Sequence, residues 1–401
     1  MKLSSTTLIE SNDPVGFLSM EDEDFPYAVG PAELYFELGT TELARQMDKR
    51  ARAISACLHT FEIPIAGGSA IVSSDQLNDL KEFLTQDDVM DHLNGKSYPR
   101  FLPFAGLNLT ADQLNQMLEA VGDEEITGAV NSINIETLLA KVAAQTAISV
   151  SRELLKFRVS KGIDPLYDHS FAFDGFDTTS VEILKQLQDT GRVHAIANEN
   201  GCIIAEDPDD EIVEQSSFVI DPILDLYKQY SDDFIYHCGL EVYPSEKIYE
   251  TGVDVLVRGE KVDLLTETDS MGIIRSGVGY VVPLGYQSYT DVALEKLLQS
   301  SVTIFPENIS AAGNLLGRFL NIVLKDQNEI CNFIENAVSH EARELIMAIK
   351  ACGDTRKSMY QLAEERVEQN RMRLVEMNDS QQDLQELAEN LVKRYQPAIL
   401  Q

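Results

Sequence analysis

The spacing of apolar and polar residues changes twice along the chain. Within residues 31–165 the apolar side chains recur mainly every three or four positions, as on one face of a helix. Between about 166 and 290, short runs of Val, Ile and Ala alternate with Gly, Asn and Asp, which is typical of strands and turns. Helical spacing returns at about residue 291. The spacing predicts an irregular arm at 1–30, a helical region at 31–165, an α+β domain at 166–290 and a helical region at 291–401.

The middle segment contains a strong hairpin signal. Two apolar runs, 194–197 and 202–205, flank the sequence Asn198-Glu199-Asn200-Gly201, and Asn-Gly tolerates the positive φ of a tight turn. A second hairpin is predicted for 253–257 with 261–265. The connections look too short for repeated crossover helices, so the fold class predicted is α+β with mainly antiparallel pairing.

The first 30 residues are predicted to be extended and irregular. Four consecutive acidic residues, Glu21 to Asp24, repel one another, and Pro14, Pro26 and Pro31 interrupt any helix. We expect such an arm to be ordered by contact with a partner or a neighbouring subunit.

The last 47 residues carry a heptad pattern. Apolar side chains alternate by four and three over nearly four and a half repeats. Two interpretations stay open, an intermolecular coiled coil and a helical hairpin that turns near Asn378 and packs on its own chain. A buried Asn at a seam position favours the coil. The seam positions are Ala363, Val367, Asn370, Leu374, Met377, Gln381, Leu384, Ala388, Leu391 and Tyr395.

The charge excludes some classes of partner. With 66 acidic and 32 basic residues, the net charge is −34, which repels nucleic-acid phosphates and anionic membranes. Solubility explains such an excess more simply than mimicry of DNA does. No apolar run is long enough to span a bilayer, and residues 1–12 lack the apolar core of a signal peptide. The five cysteines are widely spaced, which favours a reducing compartment, the cytoplasm of the cell or of a host.

Three glycine-containing motifs come close to known binding or catalytic loops. Gly95-Lys96-Ser97 ends like a phosphate-binding loop but has Met90 in place of the first Gly. Gly277-Val278-Gly279 begins a dinucleotide fingerprint, yet Val282 replaces its last Gly. Gly67-Gly68-Ser69 resembles a nucleophile elbow, but Ile71 stands where the strained turn requires Gly. Each motif therefore predicts an ordinary loop.

The titratable residues form no recognisable site either. None of the six histidines has the spacing of a zinc ligand pair, and the acidic run 206–211 does not fit a calcium loop. Asp168 beside His169 is the one acid–imidazole neighbour pair that could begin a general-base argument, and His237 adjoins Cys238. We therefore predict no catalytic residue, no cofactor-binding residue, no metal ligand and no cofactor.

The predicted function follows from the arm, the mixed domain and the heptad pattern. We expect a non-enzymatic structural or assembly protein, a homo-oligomer that contacts itself and further assembly subunits, with a viral or phage structural component in a virion as one variant. It would contact neither nucleic acid nor membrane. Two alternatives are an acidic inhibitor that mimics nucleic acid, and a hydrolase in which Asp168, His169 or His237 lines a pocket.

Overall fold

The protein divides into two compact units in a computed structural model. The first comprises Met1–Leu138, Leu315–Phe333 and Glu364–Gln401, and the second comprises Leu139–Asn314 and Ile334–Ala363. The structure describes residues 6–12, 15–21, 24–35, 40–97, 99–106, 108–121, 135–206, 212–214, 216–260, 264–324, 326–352, 358–377 and 383–395.

The first unit is built around a five-stranded mixed sheet. Its strands are β1 (Thr6–Asn12), β2 (Val15–Glu21), β3 (Tyr27–Leu34), β4 (Ala66–Val72) and β5 (Arg100–Ala105), in the order β1-β2-β4-β3-β5. The pairs β1/β2 and β2/β4 are antiparallel, whereas β4/β3 and β3/β5 are parallel.

Helices connect these strands and follow the sheet. They are α1 (Thr40–Thr60), α2 (Leu77–Leu84), α3 (Asp87–Leu93) and α4 (Ala111–Val121). The next helix, α5 (Ile135–Leu155), belongs to the second unit from Leu139 onward. Thr110 and Gln113 form a capping box at the start of α4, because the backbone N–H of each bonds the side chain of the other.

The prediction of a helical region preceded by an irregular arm is wrong for this unit. The arm forms β1, β2 and the first part of β3, and the supposed helical region supplies β4 and β5. All of β4 is buried, so it shows no alternation of apolar and polar residues. Its Gly67 has no room for a side chain, since an added Cβ would lie 1.9 Å from the Ala51 carbonyl oxygen of α1. Glycine here marks close packing of helix on strand rather than a loop.

The second unit contains a six-stranded sheet that is mainly parallel. Its strands are β6 (Ser170–Asp174), β7 (Arg192–Asn198), β8 (Gly201–Ile204), β11 (Val255–Arg258), β12 (Tyr280–Pro283) and β13 (Thr303–Ile304), in the order β13-β12-β11-β6-β7-β8. A separate two-stranded ribbon consists of β9 (Val213–Glu214) and β10 (Ser217–Phe218).

Helices lie between most of these strands. They are α6 (Thr178–Leu187), α7 (Ile220–Tyr230), α8 (Glu267–Ser276), α9 (Asp291–Leu298) and α10 (Glu307–Ser310), with 3-10 segments at Ser231–His237 and Ser245–Glu250.

The chain is a mixed α and β protein, as predicted, but the antiparallel pairing is not what forms the middle sheet. The β7–β8 hairpin at Asn198 to Gly201 is confirmed and is antiparallel. All other pairings of that sheet are parallel. The second predicted hairpin is wrong, because β11 lies between β6 and β12 and pairs parallel with both. Helix α8 lies between β11 and β12 and supplies the crossover that joins these two parallel strands.

The C-terminal region is helical, as predicted. It contains α11 (Ala312–Leu320), α12 (Gln327–Ala351), α13 (Met359–Met377) and α14 (Leu384–Tyr395). Most of the described seam residues are buried against their own chain, and all of them except Ala363 belong to the first unit. The amide of Asn370, which is 1% exposed, donates to the His59 carbonyl oxygen at 3.0 Å. Tyr395 packs its ring on Phe61 and Phe333. The structure thus favours packing of the seam on its own chain over an intermolecular coiled coil. Of the other seam positions, Met377 is 78% exposed, and Gln381 lies outside the described residues.

Candidate functional site

The carboxyl ends of β6 and β11 are the point in the second unit where the chain order of the sheet reverses. From β6 the chain continues to β7 on one side, and it returns later to β11 on the other side. In open α/β sheets, ligands bind outside the carboxyl ends of the strands at such a switch point. The last residues of the two strands, Asp174 and Arg258, are register partners there.

Asp174 and Arg258 form a buried ion pair. The Arg258 Nε donates to Asp174 Oδ2 at 2.7 Å, and the two side chains are 1% and 6% exposed. The Tyr249 hydroxyl donates to the same Oδ2 at 2.9 Å, and Arg258 Nη1 donates to the Ser288 carbonyl oxygen at 2.5 Å. Burial is the largest single influence and lowers the pKa of Arg258, but the charge and hydrogen bond of Asp174, together with Tyr249 and Tyr289, outweigh it and keep that pKa above its usual value. The two charges therefore neutralise each other inside the protein.

A second polar group lies beside this pair and centres on Glu307. The Ser288 N–H donates to Glu307 Oε1 at 2.6 Å, and the Tyr360 hydroxyl donates to Oε2 at 3.0 Å. Burial raises the pKa of Glu307 to about 7 although both hydrogen bonds favour the carboxylate. Burial, followed by the charge of Glu307, raises the pKa of Tyr289 well above its usual value.

The turn that follows β6 connects this strand to α6. Gly175 has a φ of +84°, which favours glycine. The N–H groups of Gly175 and Phe176 both donate to the Ala197 carbonyl oxygen, at 3.0 and 2.9 Å. Asp177 is the N-cap of α6, and its Oδ1 accepts from the N–H groups of Thr179 and Ser180 at 2.9 and 3.1 Å. The carboxylate therefore holds a negative charge at the N-terminus of the helix.

Aromatic packing holds the turn after β6 in place. Phe176 is 3% exposed and contacts the rings of Tyr227 and Phe234, with centroids 5.2 and 5.1 Å away. Burial, followed by the charges of Asp232 and Asp177, raises the pKa of Tyr227 to about 12. The turn is consequently held on both sides, by β7 and by the segment from α7 onward.

The carboxyl end of β7 is bonded to the same segment. The Asn198 amide donates to the Asp232 carbonyl oxygen at 2.8 Å, while its Oδ1 accepts from the Asn200 N–H at 2.9 Å. The Ser245 hydroxyl donates to the Asn198 carbonyl oxygen at 2.7 Å. Asn198 thus uses both ends of its side chain within the protein.

Comparison with solved structures identifies the fold. The chain superposes on a glutamate dehydrogenase with a TM-score of 0.64 and 15% identity, covering 93% of this chain and 85% of that one. The L-tryptophan dehydrogenase from Nostoc punctiforme gives 0.57 and 15%, covering 92% and 96%. The fold is that of the amino-acid dehydrogenases. The hetero-hexameric glutamate dehydrogenase from Thermus thermophilus in its Leu-bound form gives 0.63 and 16%, covering 94% and 89%. No protein-family model and no curated protein matches the chain.

These neighbours overturn the predicted function. Six of the matching structures are amino-acid dehydrogenases, and the match extends over more than nine-tenths of the chain. The prediction of a non-enzymatic structural or assembly protein, with its viral, phage and virion variants, is therefore wrong. Its two alternatives, the nucleic-acid mimic and the hydrolase, are wrong for the same reason. Among the described residues, no helix has the length and apolarity that crossing a membrane requires.

Five strands of the sheet have the order and direction of the doubly wound fold that binds dinucleotides in many proteins, so the fit of that cofactor can be tested. The fingerprint G-x-G-x-x-G aligns with Gly175 to Ser180, where only Gly175 matches. The middle glycine, which lets pyrophosphate approach the backbone, is Asp177. About 20 positions later, where an acidic residue bonds the ribose, Asn198 ends β7 and the exposed Glu199 follows it. The turn from Gly175 to Ser180 therefore does not fit the pyrophosphate of a dinucleotide.

The glycine motifs singled out in the sequence lie elsewhere and have structural roles. Gly277 is the left-handed C-cap of α8, and the Gly279 N–H donates to the Val253 carbonyl oxygen. Gly67-Gly68-Ser69 is part of the buried strand β4. Lys96 pairs with Asp91 at 3.3 Å after α3.

The titratable candidates are not brought together. Asp168 and His169 precede β6 at the amino edge of the sheet, where Arg192 pairs with Asp168 at 3.2 Å. His237 stacks on Tyr230, with ring centroids 3.7 Å apart, in the segment bonded to the carboxyl end of β7. Within the described ranges, no group of three His, Cys, Asp or Glu side chains could hold a metal ion. Of the acidic run 206–211, residues 207–211 lie outside the described ones.

Sequence reasoning missed Asp174, Asp177, Asn198, Arg258 and Glu307. A usable signal existed: the run Ser170 to Phe173 is followed at once by an Asp-Gly pair and then by a helix with an Asp cap. That strand–turn–helix order marks a phosphate-binding position even where the glycines are missing. For Arg258 and Glu307 no signal existed, because their partners lie 84 and 53 residues away in sequence.

We predict that Arg258→Met strongly destabilises the protein, by about 3–5 kcal/mol, because it leaves the Asp174 carboxylate buried without its partner. Chemical denaturation measures the effect. Arg192→Met removes an exposed arginine–aspartate pair in the same unit and is the control, with an expected loss under about 1 kcal/mol. Equal losses in the two variants would contradict the importance given to the buried pair.

Glu307 is expected to make stability depend on pH. Its folded pKa of about 7 exceeds the usual value of 4.5, so its contribution is complete below about pH 4.5 and is lost as the pH rises through 7. Relative to Glu307→Gln, the wild type should lose on the order of 3 kcal/mol between pH 5 and pH 8. Denaturant titrations at both pH values test this.

Glu295→Gln changes an exposed helical carboxylate of the same unit and should keep the wild-type pH dependence. A Glu307→Gln curve parallel to that of the wild type would show that Glu307 titrates normally.

Proposed function

We propose that this protein is a cytoplasmic protein that binds a small molecule. The ligand is an amino acid, or the matching 2-oxo acid, and the fold that binds it is that of the amino-acid dehydrogenases. The observation that carries the proposal is the match of the whole chain, 92% or more of it, to structures of glutamate and tryptophan dehydrogenases. One of those neighbours is a Leu-bound form, which makes leucine the first ligand to test. A dinucleotide is not part of this function, because the turn from Gly175 to Ser180 does not fit one.

The charge of the protein is compatible with such a ligand. An amino acid is a small zwitterion, so a net charge of −34 repels it far less than it repels a polyanion. The Tyr289 hydroxyl, which has no hydrogen-bond partner among the described residues, offers one polar group near the position where such sheets bind ligands.

Thermal unfolding in the presence of ligands tests the proposal. A ligand that binds the folded state alone raises the melting temperature, and above its dissociation constant the stabilisation grows with the logarithm of its concentration. We expect at least one L-amino acid or 2-oxo acid, at about 10 mM, to raise it in a concentration-dependent manner. The D-enantiomer and the amino-acid amide serve as controls. If the whole panel leaves the transition unchanged, the protein does not bind amino acids.

We also propose that the protein is a homo-oligomer; a similar structure is described as hetero-hexameric, which supports assembly of this fold into oligomers. Light scattering on the full chain should give a mass that is a multiple of 44.7 kDa. A single species of 44.7 kDa across micromolar concentrations would refute the oligomer.

A further inference from the structure

We infer that the Asp177 carboxylate occupies the anion position of the second unit, so that this protein does not bind dinucleotides at the turn after β6. In a doubly wound sheet the pyrophosphate lies at the N-terminus of the first helix, where unpaired N–H groups and the helix dipole attract negative charge. Here the corresponding helix is α6. Two of its first N–H groups, those of Thr179 and Ser180, already donate to Asp177.

The carboxylate excludes phosphate for two reasons. It uses the N–H groups that a phosphate would need, and it adds a negative charge that a bound phosphate would have to approach. Pyrophosphate at the N-terminus of α6 would therefore find the N–H groups of Thr179 and Ser180 already bonded, and the negative charge of Asp177 would repel it at close range. The charge is part of the folded turn, because the same carboxylate also caps the helix.

The other fingerprint positions show the same departure. Ser180 takes the place of the third glycine; it is 4% exposed, and its hydroxyl lies 3.4 Å from the Gly175 carbonyl oxygen. The third glycine of the fingerprint ordinarily allows the helix to pack closely on the strand. At Ser180 the side chain is larger, but its hydroxyl is directed into the protein, towards the Gly175 carbonyl oxygen. The turn is thus built and satisfied without a ligand.

The carboxyl end of β7 is also bonded to a neighbouring segment. Asn198 bonds Asp232 and Asn200 through its side chain, and the Tyr236 hydroxyl donates to the Asn200 carbonyl oxygen at 3.0 Å. These bonds occupy the side chain of Asn198, whereas the acidic Glu199 beside it is exposed. The groups that exclude pyrophosphate are thus those of the turn from Gly175 to Ser180, Asp177 above all.

Direct titration tests whether the turn from Gly175 to Ser180 excludes dinucleotides. Isothermal titration of the wild-type protein with NADH and NADPH should show no saturable binding up to about 1 mM. Saturable binding of either dinucleotide by the wild type would overturn the inference. Binding of amino acids is measured separately, so the failure of one conclusion does not affect the other.

Inorganic pyrophosphate tests the role of Asp177 itself. Asp177→Ser keeps an N-cap hydroxyl and removes the carboxylate. We expect it to bind pyrophosphate at least about tenfold more tightly than the wild type does. Asp326→Ser is the matched control, because Asp326 caps α12 in the same way, through the N–H groups of Asn328 and Glu329. This control should show no gain, and an equal gain would attribute the effect to general loss of charge and overturn the assignment.

A second variant protects the test against misfolding. Asp177→Asn keeps the cap acceptor and removes only the charge, and circular dichroism confirms the fold of each variant. If Asp177→Ser does not fold, Asp177→Asn should still bind pyrophosphate more tightly than the wild type, by at least about threefold. No gain in a folded Asp177 variant would show that another feature closes the turn.

Discussion

A guanidinium can be buried in the second unit because one carboxylate meets it there. Arg258 ends β11 and Asp174 ends β6, and removing both charges from water is costly unless each finds the other with good geometry. Tyr249 and the Ser288 carbonyl oxygen complete the bonding. This pair fixes the carboxyl ends of the two central strands at the place where the sheet changes direction. The turn after β6, and with it Asp177, starts from that fixed point.

The chemistry of the carboxyl edge is self-contained. Charges and hydrogen-bonding groups that could face a ligand at the switch point instead bond one another: Asp174 with Arg258, Asp177 with the start of α6, and Asn198 with the neighbouring 3-10 segment. The chain has the fold of the amino-acid dehydrogenases, whereas the turn after β6 bonds internally the N–H groups that could hold a phosphate. Because backbone packing and side-chain identity at a turn are largely independent, a fold can persist when the site on it has changed.

The charge of the chain also disfavours phosphate-rich ligands. A protein with a net charge of −34 keeps such ligands at a distance unless a local cationic site attracts them. Arg258, at the carboxyl edge, is neutralised by Asp174 and supplies no such site.

Local features were predictable from the sequence, and pairing between distant segments was not. The β7–β8 hairpin, the capping box at Thr110 and the helices of the last hundred residues each depend on neighbours a few positions away, and the structure contains them. The mainly parallel sheet of the second unit depends on crossover connections. A strand buried on both faces, such as β4, gives no alternation from which to recognise it.

The candidate site shows the same division. By itself the sequence determined that Gly175 begins a turn after an apolar run and that an Asp stands ready to cap the helix that follows. Only the tertiary structure decided that this Asp lies at the switch point of a parallel sheet, where other proteins hold phosphate. It likewise decided that Asn370 packs on the end of α1 rather than on a second chain. Hydrogen bonds along one turn are encoded in adjacent residues, whereas the partners of a buried charge or amide are chosen by the packing of segments far apart in the chain.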